Sequence, residues 1–204
     1  WSESRGLGDV YKRQKEYYLN IIMSIITLLS DYGTRGSKIA KAKGLLLSEL
    51  STASIIDISH EISPFNIVEA AYIMKRSYSN FPRNTIHIID VDAQHNPEQS
   101  LVVSYFDNHY FITADNGFIS LLSNEIKPEK NIEITLNKDV SFSSIRTFVK
   151  AAAHIKRGGN INLLGKEIIK LKEFTHLNIK THSKDTIIGH VIYVDNYGNV
   201  ISNI

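Results

Sequence analysis

The residues most able to do chemistry in this chain are acidic, and they cluster where short apolar runs stop. Asp31 follows Ser24–Ser30; Asp57-Ile58-Ser59-His60-Glu61 closes a second run; Asp90-Val91-Asp92, with His95 beyond, closes a third. Carboxylates gathered at one edge of a sheet can accept hydrogen bonds from a ribose diol or an amine, act as a general base, or hold a divalent metal. Each also has a plainer explanation. Asp31, in Asp-Tyr-Gly-Thr, serves equally as a turn-former bonding its own backbone, and Asp57 reads as structural. Asp90 and Asp92 lie two apart and so share one face of a regular strand. Two like charges there need a metal, a cation or a shared proton to compensate them. His60 and His95 read as loop histidines, and no HExxH pattern supports a zinc site. Asp115-Asn116-Gly117 reads as a tight turn, and Lys38, Lys41 and Lys43 as a solvated helix face.

These side chains need elements to position them. The β-branched run Ser24–Ser30 reads as a buried strand ending at a turn cluster, and Ser37–Leu50 repeats apolar residues at helical spacing through Ile39, Ala42, Leu46 and Leu50. A second unit pairs the strand Ser54–Ile58 with a helix over Asn66–Tyr78, where Asn66 is placed to cap. Thr85–Val91 is a third strand. Leu101–Phe106 and Tyr110–Thr113 form a hairpin turning at Asp107-Asn108-His109. Ile132–Leu136 and a helix over Ile145–Lys156, closed by Gly158-Gly159, complete the pattern. Strands alternating with helices predict an α/β fold, doubly wound, with a mostly parallel sheet and helices on both faces over residues 23–170. After a polar stretch, Ile187–Val194 and Val200–Ile204 flank the turn Asn196-Tyr197-Gly198-Asn199. One hairpin cannot bury a core alone, so residues 186–204 read as the truncated start of a small all-β barrel. Residues 1–22 lack an apolar period and are set aside as an extension, with Met23 as the expected natural start.

In open α/β sheets ligands bind beyond the carboxyl ends of the strands, which is where the acidic residues fall. Composition narrows the chemistry. The 204 residues are 43% hydrophobic and 22% charged, with a formal net charge of +2 and no cysteine. Such a charge argues against nucleic acid as a partner, and no segment reads as a membrane span. Zinc–thiolate sites, disulfides and cysteine nucleophiles are excluded, which fits a cytoplasmic protein. There is no Walker A loop, no GxGxxG after the first strand and no GxSxG elbow.

Ordered stretches of the chain resemble the S-adenosylmethionine hydroxide adenosyltransferases, relatives of fluorinating and chlorinating enzymes. They are ITLLSDYGT (26–34), KGLLLSEL (43–50), IIDISHEISPFNIVEAAYIM (55–74), YFITADNGFISLL (110–122) and VIYVDNYGNVISNI (191–204). The resemblance implies attack of water or hydroxide on the 5′ carbon of S-adenosylmethionine, releasing adenosine and L-methionine, with no cofactor and no metal. It implies that Asp31 bonds the ribose hydroxyls, that the loop Gly36, Ser37 and Lys38 lies near the nucleoside, and that Phe65 packs beside it. Asp195 and Asn199 would hold the methionine amino-acid end. It further implies a homotrimer, with ligand bound between one subunit's first domain and its neighbour's second.

One departure bears on catalysis. The hydrolases resembled here use an Asp, Arg and His set. Asp92 matches the acid and is the expected catalytic residue; Gln99 or a neighbour stands where Arg is expected, and Ser143 where His is expected. His95 or Arg146 are the nearby substitutes. Two functions therefore stand side by side: a hydrolase of altered site chemistry, and a non-catalytic adenosine or S-adenosylmethionine binder. A halogenase, and a metal-dependent hydrolase using Asp90, Asp92 and His95, follow at a distance.

Overall fold

A computed structural model describes residues 25–93, 99–123, 126–135, 143–174, 180–183 and 186–204. The expected extension over residues 1–22 and the start at Met23 lie outside the described residues. The strand and helix units read from the sequence are present: β1 (Ile25–Ser30), α1 (Lys38–Glu49), β2 (Ser54–Ser59), α2 (Ile67–Ser77), β3 (Ile86–Asp90), β4 (Leu101–Phe106) and β5 (His109–Ala114). They are followed by α3 (Phe118–Leu122), β6 (Lys130–Ile134), α4 (Ser144–Lys156) and β7 (Gly165–Glu167).

The main sheet has seven strands in the order β2-β1-β3-β5-β4-β6-β7. β2, β1, β3 and β5 pair in parallel, whereas β4 runs antiparallel between β5 and β6, and β7 pairs antiparallel with β6. The sheet is thus mixed, and the expectation of a mostly parallel sheet holds for the half that carries β1 and β3. The other half departs from it because β4 and β5 are joined by a tight turn at Asp107 and Asn108, both at positive φ, and so short a link allows only antiparallel pairing.

Strand alternation sends neighbouring residues to opposite faces. Ile26, Leu28, Ile86, Ile88 and Ile112 join Ala42 and Leu46 of α1 and Phe148, Val149 and Ala152 of α4 in one core. Leu29, Ile89 and Phe111 join Ile67, Ala70 and Met74 of α2 and Phe118 and Leu122 of α3 in the other. Helices therefore cover both faces. Each fully buried large apolar side chain contributes roughly 1.5–3 kcal/mol. α2 begins with a reciprocal cap: Asn66 Oδ1 accepts from Glu69 N at 3.1 Å, while Glu69 Oε2 accepts from Asn66 Nδ2 and Ser63 N. Replacing Asn66 with Ala should cost about 1 kcal/mol, read as a lower urea midpoint at unchanged slope.

The remaining strands form two small antiparallel pairs, β8 (Lys180–Ser183) with β9 (Thr186–Ile188) and β10 (Val191–Val194) with β11 (Val200–Ser202). The run Ile187–Val194, read as one strand, is divided at Gly189-His190. There His190 N donates to Asn203 Oδ1 and a Cβ on Gly189 would meet Ile204 at 2.2 Å. Tyr193 of β10 lies against Tyr72 of α2, with ring centroids 5.8 Å apart. Among the described residues, no helix is long and apolar enough to cross a membrane.

Candidate active site

β1 lies between β2 and β3; the chain goes from β1 to β2 on one side and from β3 to β4 on the other, so the strand order reverses between β1 and β3. A crevice opens at such a reversal of strand order, beyond the carboxyl ends of the strands. The acidic residues named from the sequence converge there. A cleft of about 110 Å³ is lined by Asp31, Tyr32, Lys38, Pro64, Phe65, Asp90, Asp92 and Ala93.

Asp31 organises its floor. Its Oδ2 accepts from the backbone N–H of Phe65 at 3.0 Å and of Asp92 at 3.4 Å. Both donors are left-handed, Phe65 at φ 64 and Asp92 at φ 49. A non-glycine residue held there costs on the order of 1–2 kcal/mol, and such strain persists only where surrounding bonds enforce it. One carboxylate thus joins segments 34 and 61 residues away in sequence. A carboxylate has about four lone-pair sites, so Asp31 retains acceptor capacity after these two bonds.

Beneath the cleft, His60 ties the loop after β1 to the loop after β2. Its Nδ1 lies 2.7 Å from Ser30 Oγ, and its carbonyl accepts from Gly33 N at 2.7 Å, where φ 66 suits glycine. His60 Nε2 lies 3.1 Å from Asp57 Oδ1, and Lys43 Nζ donates to Asp57 Oδ2 at 2.6 Å. Burial opposes ionisation of Asp57, but its bonds to Lys43 and His60 outweigh it and hold the carboxyl below its usual range. Asp57 is thus held between Lys43 of α1 and His60. His60 is not a solvated loop residue: it is 7% exposed.

Asp90 is buried at the end of β3, where the Tyr32 hydroxyl donates to its Oδ2 and Ser144 Oγ to its Oδ1 at 2.9 Å. Lys38 Nζ stands 5.1 Å from the centre of the Tyr32 ring, within cation–π range. Asp115-Asn116-Gly117 forms the expected turn. It also braces the site, since Asn116 Nδ2 donates to Val91 O at 3.1 Å.

The named residues do not all meet. Asp31, Lys38, Phe65 and Asp92 line the cleft; Gly36 and Ser37 lie exposed in the approach to α1 and are not among the lining residues. Asp195 and Asn199 sit in the β10–β11 turn and bond each other. Asp195 Oδ1 accepts from Tyr197 N and Asn199 N, and its Oδ2 accepts from Asn199 Nδ2 at 2.7 Å. Those bonds, from Asn199 foremost, hold the Asp195 carboxyl below its usual range. Ser143 precedes α4 in extended conformation at φ −141, and Arg146 lies exposed in its first turn. His95 lies outside the described residues; Gln99 occupies a bend just before β4. Tyr32 and Ser144 carried no distinguishing sequence signal, because their partner Asp90 is 58 and 54 residues away.

Several known proteins are similar to this chain. Over 194 residues it is 29% identical to the (R)-S-adenosyl-L-methionine hydrolase of Methanocaldococcus jannaschii, covering 92% of this chain and 70% of that protein. Over 62 residues it is 32% identical to a fluorinase of Actinopolyspora mzabensis, a match spanning 30% of this chain and 21% of the fluorinase. A crystal structure of an uncharacterized conserved protein from Thermotoga maritima superposes with a TM-score of 0.77 at 26% identity, over 88% of this chain and 71% of that one. A conserved hypothetical protein from Thermus thermophilus shares the fold, with a TM-score of 0.69 at 22% identity, over 87% of this chain and 71% of that one. Residues 26–165 match the model of the SAM hydroxide adenosyltransferase N-terminal domain, and the chain belongs to that family.

Proposed function

We propose that the chain hydrolyses S-adenosylmethionine to adenosine and L-methionine in the cleft between β1 and β3. The observation that carries this reading is the junction at Asp31, which holds Phe65 and Asp92 in one pocket of a chain of this family. The remaining acceptor capacity of Asp31 suits a ribose hydroxyl, and the exposed Phe65 ring suits one face of a nucleoside. Asp92 stands on the same wall to orient the attacking water. The carboxylates favour the sulfonium cation electrostatically, and a neutral thioether leaves without a proton. Catalysis then reduces to orientation and activation of water, for which alignment of the reacting atoms supplies much of the rate. No step requires a metal or a cofactor.

Asp195 and Asn199 are already bonded within their own turn. The Asp195 carboxylate still has lone pairs to offer an ammonium, and in a homotrimer this turn would reach the pocket of a neighbouring copy. A second reading, a binder without turnover, is favoured by Ser143, and by Gln99 or a neighbour, which stand where the resemblance expects His and Arg.

The test is incubation of the full chain with each sulfonium epimer of S-adenosylmethionine, adenosine and methionine being followed by chromatography beside a calorimetric titration. Equimolar release above the uncatalysed rate is expected. Binding without release would leave the binder reading, and neither signal would defeat both.

A further inference from the structure

We propose that Tyr32 and Asp90 form a proton-accepting pair in the cleft and complete the activation of water beside Asp92. The proposal rests on the hydrolase reading above and names residues of this chain for the step that the expected Arg and His would otherwise serve.

The pair is built into the fold. Asp90 is 3% exposed, and a carboxylate so buried is costly unless hydrogen-bonded. Two of the groups that reach it are hydroxyls, Tyr32 on Oδ2 and Ser144 on Oδ1. Unlike a backbone N–H, a hydroxyl can pass its proton on while accepting another. Tyr32 is also the member that reaches the ligand space, since it lines the same cleft as Asp31 and Asp92. Its orientation is set from several sides. Its backbone N–H points to Ser30 Oγ at 3.4 Å, the next residue is bound to His60 O, and Lys38 lies over its ring. Ser144 opens α4 immediately after Ser143, so the segment where His is expected contributes a hydroxyl to this carboxylate instead.

The chemistry balances without another reactant. As the water oxygen bonds to C5′, the C5′–S bond breaks and its electron pair stays on the sulfur of methionine. One water proton passes to the Tyr32 oxygen while the phenol's own proton passes to Asp90 Oδ2; Asp92 orients the water through its other hydrogen. The sulfonium charge and the Asp90 charge are both discharged, and loss of the proton to solvent resets the site.

Steady-state turnover and calorimetric affinity of the full chain, compared with Tyr32→Phe, Asp90→Asn and the double variant, test the pair. Tyr32→Phe should lower kcat about 100-fold or more, the size of a general acid–base contribution, while Kd changes little and Tm falls without loss of the fold, because Asp90 keeps the Ser144 hydroxyl. Because the two act as one unit, the double variant should be no more than a few-fold slower than the slower single variant. Should Asp90→Asn fail to fold, Tyr32→Phe carries the test, since it removes a single oxygen from a partly exposed side chain. Undiminished kcat in Tyr32→Phe, losses that multiply in the double variant, or a fall in affinity equal to the fall in kcat would each overturn the pair alone. No adenosine release by the unaltered chain would overturn the hydrolase reading and the pair with it.

Discussion

Asp92→Asn is expected to lower adenosine release by about 100- to 10,000-fold, the range for losing a positioned acid–base group, while S-adenosylmethionine still binds. The split follows from what each atom of Asp92 does. Its backbone N–H donates to Asp31, and Asn tolerates the left-handed φ of 49 at this position, so that bond and the floor of the cleft are kept. Asp92 lines the cleft beside Ala93, and Asn preserves its volume while removing the charge and one acceptor oxygen. Single-turnover release and calorimetric Kd on the same preparation separate the two effects. A variant that loses affinity as steeply as turnover would make Asp92 a binding residue, and one with full turnover would remove it from the mechanism.

The second large effect concerns acid stability and lies at the other end of β3. His87 is wholly buried beside Phe111, with ring centroids 4.9 Å apart, and its two nitrogens meet Thr27 Oγ1 at 2.7 Å and His109 Nδ1 at 3.0 Å. Burial, reinforced by the neighbouring His109, lowers the pKa of His87 to about 3. Burial lowers His109 as well, against the opposing pull of Asp107. A histidine depressed in the folded state binds its proton more readily when unfolded. Stability is therefore complete above the unfolded value of about 6.5 and is lost as pH falls toward 3, at about 1.4 kcal/mol per pH unit for this one group. Urea unfolding of the wild type between about pH 6 and 4 should show stability falling with a slope of about that size. In His87→Gln, which cannot titrate there, the slope should fall by about the same amount whatever the absolute stability. An unchanged slope would mean that the loss of stability in acid comes from other groups.

His87 also shows where periodicity stops being informative. In Thr-Ile-His-Ile-Ile-Asp-Val the alternation identifies a strand, and nothing local distinguishes a buried histidine from an exposed one. Its burial depends on Tyr78, Phe81 and Phe111 packing against it from other elements. His60 repeats the point: within Asp-Ile-Ser-His-Glu it reads as a loop residue, and the 2.7 Å contact with Ser30 turns it into a clamp. The antiparallel half of the main sheet was legible only as far as the β4–β5 hairpin, because β6 and β7 pair through contacts far apart in sequence.

What the sequence determined by itself was the succession of strands and helices, the α/β class, and the carboxylates at strand ends. Alternation of period two, helical spacing, and turn residues such as Asp31-Tyr32-Gly33 are short-range signals that survive in one dimension. The resemblance carried by its ordered motifs pointed to the family that the matched relatives then showed. Only the tertiary structure decided which acids share a cleft, that Asp31 spends one oxygen holding Phe65 and Asp92, and that Asp90 takes the hydroxyls of Tyr32 and Ser144. Those contacts join segments more than thirty residues apart, and the order in which strands assemble into the sheet sets which of them can meet.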